Sequence, residues 1–233
     1  MTTGQPVVWG AVVVAAGQSE RFGDTDKLFG ELSGKPVIQW SLAAMTSNSR
    51  VRQTVLVTSD SNAAGLQSLV DRDFASTEIR LCRGGSTRSD SVRSGLRALD
   101  PDITHVAIHD GARPLASANL VSIVLDAAER SGAAIPGTRV TSSIGVEMVE
   151  GGALAETLDR TLLRELQTPQ AALRNYLDDA ICRFPAETDE SAALLRAGYR
   201  VSIVPGEASN LKITAPEDLV IAAVLARTCG AEI

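Results

Sequence analysis

Three segments of the chain carry residues whose chemistry and spacing point to the binding of anions. The first is VVVAAGQSERFGDTDK, residues 12–27. An apolar run ends in the small residues Ala15, Ala16 and Gly17, where backbone can approach a ligand closely without a side-chain clash. Gly17, Ser19 and Gly23 let the following loop turn its N–H groups inward as a nest for phosphate oxygens. Arg21 adds a planar fork of donors and Lys27 a mobile point charge. The segment is neither G-x-G-x-x-G nor G-x-x-x-x-G-K-[ST], which argues against dinucleotide oxidoreductases and P-loop hydrolases.

The second segment is RGGSTRSDS, residues 83–91. Gly84 and Gly85 allow close backbone approach, while Ser86, Arg88 and Ser91 offer polar contacts at the start of the next helix. Turn chemistry plus helix capping by Ser89 or Asp90 would account for the same residues. The third is HDGARP, residues 109–114, at the carboxyl end of an apolar run. Open α/β sheets bind ligands at such strand ends. A carboxylate there suits Mg²⁺, which takes oxygen ligands and rides on substrate phosphates, so Asp110 is the candidate metal residue. His105 and His109 fall on one strand face, but they read as satisfied histidines near a sheet edge rather than as a metal pair. Later come Asp159-Arg160, Gln167-Thr-Pro-Gln170, Thr188-Asp-Glu-Ser191 and Asn210-Leu-Lys-Ile-Thr214, each also readable as a loop, turn or cap. Lys212, inside an apolar stretch, is the least ordinary of these, because a buried lysine needs a charge partner or a shifted pKa.

Something must hold these segments in place. Apolar, β-branched runs alternate with amphipathic ones, the βαβ signature of a mainly parallel sheet. The strands expected are Val7–Ala15, Gln53–Thr58, Glu78–Cys82, Thr104–His109, Ala133–Pro136 and Arg200–Val204, the first of them central because it is apolar on both faces. Leu120, Ile123, Val124 and Ala127 form one core-facing stripe of a helix over Ser117–Arg130. Thr214-Ala-Pro-Glu217 reads as a capping box that opens the last helix. Ser142–Leu158 breaks the rhythm: two short alternating runs flank Gly151-Gly152, a β-hairpin with Ile144, Val146 and Met148 on one face. That face must pack on its own domain or on a second copy of the chain.

Composition narrows the class. The 233 residues suit one α/β domain, and a hydrophobic fraction of 44% is enough for a sizeable core. A net charge of −6 argues against general nucleic-acid binding, and 3% aromatic residues against a base-stacking platform. Cys82, Cys182 and Cys229 show no metal spacing and read as reduced thiols. No signal peptide or membrane span is expected, so the expected location is cytoplasmic.

Taken in order, AAGQSERFG…DK, GKPVIQWSL, RGGSTRSDSVRSGL, HDGARP, ETLDR, QTPQ, TDESA and LKITAPEDL resemble one family across nearly the whole chain. That family is the 2-C-methyl-D-erythritol 4-phosphate cytidylyltransferases of the non-mevalonate isoprenoid pathway. The resemblance implies a three-layer α/β/α Rossmann-like nucleotidyltransferase fold. It further implies a single domain over 1–233 and a β-hairpin dimerisation arm over 142–160. The activity it implies is cytidylyl transfer from CTP to the polyol phosphate, with Mg²⁺. By the same resemblance Ala15, Ala16, Gly17, Gly85, Ser86 and Ser91 hold the cytidine, and Arg21, Lys27 and Lys212 surround the phosphates. Asp110, Arg113, Thr168 and Thr188 line the acceptor pocket. Ser143 belongs with them, and Arg160 reaches the acceptor bound to the partner of a homodimer.

The chain departs from the family pattern at three places. Asp26 stands where Pro usually precedes the loop lysine. Ser142-Ser143-Ile144-Gly145 replaces Asp-Thr-hydrophobic-Lys, keeping a hydroxyl but losing a carboxylate and a cation. Ser209 replaces an acidic residue. These departures keep two alternatives open: a ribitol 5-phosphate cytidylyltransferase and a non-catalytic nucleotide-binding module.

Overall fold

The computed structural model describes residues 6–17, 26–148 and 152–228. The chain opens with β1 (Trp9–Ala15), the two-residue strands β2 (Glu31–Leu32) and β3 (Lys35–Pro36), and α1 (Val37–Thr46). It continues through β4 (Val51–Thr58), α2 (Ala63–Asp73), β5 (Ile79–Arg83), α3 (Arg88–Ala98), β6 (His105–Asp110) and α4 (Ala118–Ser131). Next come β7 (Ala133–Arg139), the hairpin strands β8 (Ile144–Glu147) and β9 (Leu154–Leu158), β10 (Arg164–Leu166) and β11 (Gln170–Leu173). The last elements are α5 (Arg174–Arg183), α6 (Glu190–Arg196), β12 (Ser202–Pro205) and α7 (Pro216–Thr228).

The main sheet runs β10-β7-β11-β6-β1-β4-β5, with β12 paired to β7. β1, β4, β5 and β6 are mutually parallel, as the βαβ pattern requires. β11 is inserted antiparallel between β6 and β7, and β10 pairs antiparallel on β7. β1 is central, flanked by β4 and β6. Its alternate side chains feed two cores, which makes the run apolar throughout. Ala11, Val13 and Ala15 face a layer built by α1, α2, α4 and α7. Val12 faces the layer of α3, α5 and α6. The architecture is therefore α/β/α in three layers, with a mainly parallel sheet.

All six expected strands form, shifted by one to three residues at their ends. Ser117 caps α4, its hydroxyl accepting from the Leu120 N–H at 3.0 Å, and Leu120, Val124 and Ala127 are buried as expected. The capping carboxylate of α7 is Asp218 rather than Glu217. One Asp218 oxygen accepts from the Thr214 N–H, the Thr214 hydroxyl and the Ala215 N–H at 2.7–2.9 Å. With Pro216 as the first helical residue, the carboxylate that can fold back onto Thr214 lies four residues on, not three. The stretch beginning at Gln170 is likewise strand β11, not loop: a gap between two buried strands imposes extended structure on Gln-Ala-Ala-Leu whatever its propensity. β6 is an interior strand, so His105 and His109 do not lie near a sheet edge.

β8 and β9 pair antiparallel as a separate two-stranded sheet, bonded to no strand of the main one. The Met148 N–H donates to Ala153 across the turn at 2.9 Å. Val146, Met148, Leu154 and Leu158 are all exposed. Of the two ways to cover the face of Ile144, Val146 and Met148, packing on its own domain is not what Val146 and Met148 do, while Ile144 is half-buried. Among the described residues no helix is long and apolar enough to cross a membrane.

Candidate active site

The carboxyl ends of β1, β5 and β6 lie on one edge of the sheet, and with them the described parts of the three predicted segments. Two adjoining hollows open at this edge. The larger, about 560 Å³, is lined by Ala15, Ala16, Gly17, Lys27, Gly85, Ser86, Ser91, Asp110 and Lys212, among others. The smaller, about 160 Å³, is lined by Asp110, Arg113, Thr168, Thr188, Gln167 and Lys212. Arg88, Asp110 and Lys212 border both. The residues expected around a nucleotide, Arg21 apart, thus line one hollow, and Asp110, Arg113, Thr168 and Thr188 of those expected around an acceptor line the other. Ser143 and Arg160 line neither. Both are exposed at the base of the hairpin, where the Arg160 guanidinium donates to the Thr141 carbonyl. Arg21, Ser19 and Gly23 fall outside the described residues.

Local packing explains the shape of the larger hollow. A side chain at Gly84 would place its Cβ 2.4 Å from that of Ala16, so the Ala16 methyl packs directly on the Gly84 backbone. At Gly95 a Cβ would lie 2.5 Å from Val12, so α3 sits directly on β1. That close seat aims the N-terminus of α3 at the site. Its cap is Thr87, not Ser89 or Asp90: the Thr87 hydroxyl oxygen accepts from the Asp90 N–H at 3.0 Å, and the Asp90 carboxylate accepts from the Thr87 and Ser86 hydroxyls at 2.9 and 2.8 Å. Threonine followed three residues later by a carboxylate is the capping-box arrangement, with Asp in place of Glu. Ser91 is committed to the loop as well, accepting from the Gly85 N–H at 3.1 Å and donating to the Thr87 carbonyl at 3.0 Å.

Lys27 opens a single 3₁₀ turn, Lys27–Phe29, whose cap is Asp26. One Asp26 oxygen accepts from the Leu28 N–H at 3.0 Å, and the other accepts from the Asn62 amide at 2.5 Å. Lys212 lies in an extended connection rather than a strand, and its side chain is 38% exposed, so it is not the buried lysine expected. Its charge partner is Asp110, at 2.8 Å.

Asp110 is the electrostatic centre. Arg88 lies 3.1 Å from one of its oxygens, and Lys212 and the Arg113 Nε at 2.8 and 3.7 Å from the other. Burial alone would raise the Asp110 pKa; the charges of Arg88, Lys212 and Arg113 outweigh it and hold the carboxyl far below its ordinary range. Arg88 is gripped from behind by buried Glu190, through two contacts of 2.6 and 3.1 Å. Burial opposes the Arg88 charge, but Glu190 and Asp110 raise its pKa above the usual value. The Glu190 pKa is itself pushed up by burial. Arg113 donates to the Asn210 carbonyl at 2.7 Å, while its buried Nε makes no hydrogen bond. Three cations thus gather around one carboxylate, which favours a polyanionic ligand.

Sequence reasoning undervalued Arg88 and missed the role of Glu190. The signal for Arg88 was its place at a helix start after a glycine pair. Glu190 lies 102 residues away, a separation that local pattern cannot bridge. Among the described residues no group of three His, Cys, Asp or Glu could hold a metal ion. His105 and His109 are satisfied locally: His105 packs on Trp9 at 4.9 Å and meets the Thr104 hydroxyl at 2.9 Å. His109 lies against the Arg113 carbonyl and Thr168 hydroxyl, each at 3.0 Å.

A Rossmann-like sheet with small residues after its first strand, and cations converging at the strand ends, defines an enzyme of the nucleotidyltransferase class. Residues 9–228 match the family model described as IspD, 2-C-methyl-D-erythritol 4-phosphate cytidylyltransferase. The chain is 38% identical over 217 residues to an enzyme of that name from Dehalococcoides mccartyi, covering 93% of this chain and 95% of the relative. To its counterpart in Bacillus velezensis it is 36% identical, covering 91% and 92%. The crystal structure of 4-diphosphocytidyl-2C-methyl-D-erythritol synthase from Anaerococcus prevotii superposes with a TM-score of 0.83 at 26% identity, covering 95% of this chain and 99% of that one. The Thermus thermophilus enzyme superposes with a TM-score of 0.77 at 30% identity, covering 95% and 100%. The chain belongs to the 2-C-methyl-D-erythritol 4-phosphate cytidylyltransferase family.

Proposed function

We propose that this enzyme transfers a cytidylyl group from CTP to 2-C-methyl-D-erythritol 4-phosphate, releasing pyrophosphate. The observation that carries the reading is the shared border of the two hollows, where Arg88, Asp110 and Lys212 stand between a nucleotide-sized cleft and a small polar pocket. An oxygen of the acceptor phosphate attacks the α-phosphorus of CTP in line. The bond from the α-phosphorus to the bridging oxygen breaks, and its electron pair leaves with pyrophosphate. A phosphate monoester is already ionised near neutral pH, its second pKa being about 6, so no general base is required. What the protein supplies is the positioning of two repelling anions and charge on the transferring group.

Ala15, Ala16, Gly17, Gly85, Ser86 and Ser91 shape the nucleoside end. Arg21, Lys27 and Lys212 take the triphosphate, while Asp110, Arg113, Thr168 and Thr188 take the acceptor. Among the described residues two carboxylates line the hollows, Asp110 engaged by cations and Asp189 by the start of α6, and they make no metal cage. This fits Mg²⁺ delivered on the triphosphate with Asp110 as a single oxygen partner, where the ion would neutralise phosphate charge. The exposed apolar side chains of the hairpin, Val146, Met148 and Leu158 with Leu154 on the opposite face, support a homodimer. In it Ser143 and Arg160 belong to the site of the neighbouring subunit. We take the whole chain as one nucleotidyltransferase domain bearing that arm, working in the cytoplasm.

The family match favours methylerythritol phosphate over ribitol 5-phosphate as acceptor. Pyrophosphate release is the test, with CTP or UTP and Mg²⁺ and with methylerythritol phosphate, ribitol 5-phosphate or no acceptor. Release only with CTP and methylerythritol phosphate is expected. Release with ribitol phosphate alone would shift the acceptor, and none with either would return the chain to a nucleotide-binding module.

A further inference from the structure

His109 is fully buried behind the acceptor pocket, and each ring nitrogen has one partner. Its Nε2 faces the Arg113 carbonyl at 3.0 Å. A carbonyl can only accept, so Nε2 carries the hydrogen. Its Nδ1 faces the Thr168 hydroxyl, also at 3.0 Å. That hydroxyl oxygen already accepts from the Asp110 N–H at 3.0 Å. A hydroxyl has one hydrogen and two acceptor positions. With Nδ1 bare, the Thr168 hydrogen points at the ring, and the order closes as a chain: Asp110 N–H to Thr168, Thr168 O–H to His109, His109 Nε2–H to Arg113. With Nδ1 protonated as well, Thr168 would receive two N–H groups and its own hydrogen would need another acceptor.

We propose that His109 is a positioning residue of this reaction: by accepting the Thr168 hydroxyl hydrogen bond it fixes the Asp110 and Arg113 backbone and leaves Thr168 facing the acceptor pocket as an acceptor only. Thr168 in this state cannot donate to a phosphate oxygen. It can receive the O–H of an alcohol, so it reads the polyol end of the acceptor and leaves the phosphate to Arg113 and Arg88. The inference rests on the proposed acceptor chemistry, and a single unit of hydrogen bonds joins a buried ring to three residues that border the pocket.

Two measurements test it. The chain has only two histidines, so ¹⁵N spectra of histidine-labelled protein at pH 7.5 resolve both, and the His109→Gln variant assigns them. A bare Nδ1 and a protonated Nε2 are expected for His109; the opposite tautomer, or both nitrogens protonated, would overturn the proposal. This readout stands even if no acceptor supports turnover, in which case the functional reading fails and the hydrogen-bond order does not.

The second measurement is a kinetic cycle of His109→Gln, Thr168→Val and the double variant. Gln can still reach the Arg113 carbonyl but cannot replace Nδ1. Each single change is expected to raise KM for the acceptor and lower kcat by roughly ten- to a hundred-fold, the scale of a small misplacement, while KM for CTP stays within about twofold. His109→Asn, whose Oδ1 can take the place of Nδ1, should fall between wild type and Gln. Residues acting as one unit give a double variant no worse than the poorer single. Multiplied effects, or unchanged acceptor constants in His109→Gln, would sink the idea. Should the Gln variant fail to fold, Thr168→Val and the spectrum of the unmodified protein decide the matter.

Discussion

Asp26 holds Asn62 at 2.5 Å with one carboxylate oxygen while the other caps the turn that begins at Lys27. One of the residues that depart from the family pattern is therefore the one that ties the loop lysine to the start of α2. Its φ of −72° is also one that proline adopts without strain. Cap and ring are two answers to the same requirement, a fixed backbone just before Lys27.

From this follows an unusual order of severity. Asp26→Ala removes these contacts and frees φ, so KM for CTP should rise about two- to thirtyfold, in line with the 0.5–2 kcal/mol of a lost cap. Asp26→Pro should retain most activity despite being the less conservative change. Asn62→Ala should lie between wild type and Asp26→Ala. Steady-state kinetics with CTP varied would check this, and an inactive Asp26→Pro beside a normal Asp26→Ala would refute it.

Lys27 itself should matter far more for turnover than for folding. It lines the nucleotide cleft, and its proposed work is on charge that moves to the leaving pyrophosphate. Lys27→Ala should lower kcat by roughly a hundred-fold or more, the scale of losing one well-placed electrostatic contact. Its melting temperature should match wild type. Near-normal turnover would remove the loop from the mechanism.

Much of this arrangement was legible in the sequence, and the reasons differ by residue. Val12–Ala15 announced a central strand because an interior strand must be apolar on both faces. Asp110 was legible because a carboxylate ending an apolar strand has few bland uses. Thr87 was missed because its partner is Asp90 and the expected pattern ends in Glu or Gln. β11 was missed because Gln-Ala-Ala-Leu has no alternation of its own. The Arg88–Glu190 grip and the His109–Thr168 pair join residues 102 and 59 apart, and only the packing of α3 with α6 and the pairing of β11 with β6 bring such partners together. Ser142-Ser143-Ile144-Gly145 remains only partly explained: a side chain at Gly145 would meet Leu154, but nothing in the structure accounts for the serines.

Asp110→Asn offers a test of the charge balance. Arg88, Lys212 and Arg113 would keep their positions around a group that no longer neutralises them. Breaking such a buried pairing costs about 3–5 kcal/mol, so the ligand-free variant should melt well below wild type. Pyrophosphate can supply the missing negative charge, so it should raise the variant's melting temperature more than that of wild type. An equal shift in the two proteins would mean that the three cations do not form the anion site. Turnover should fall sharply whether or not stability is restored.

The hairpin makes the sharpest prediction about assembly. Arg160 lines neither hollow of its own chain, and the apolar side chains of β8 and β9 are uncovered. If the arm serves a neighbour, a Lys27→Ala chain and an Arg160→Ala chain should each be poor alone and should rescue one another when unfolded together and refolded as a mixture. In a mixed dimer, the pocket of the Arg160→Ala chain retains Lys27 and borrows Arg160 from the other arm, while the second site carries both defects. Random pairing makes half the dimers mixed, so the mixture should recover about a quarter of wild-type activity, as expected for a two-fold assembly that shares its sites. Adding Val146→Glu to both chains should abolish the recovery, because a charge on that face prevents pairing. Activity that remains the average of the two separate variants would mean that each chain completes its own site.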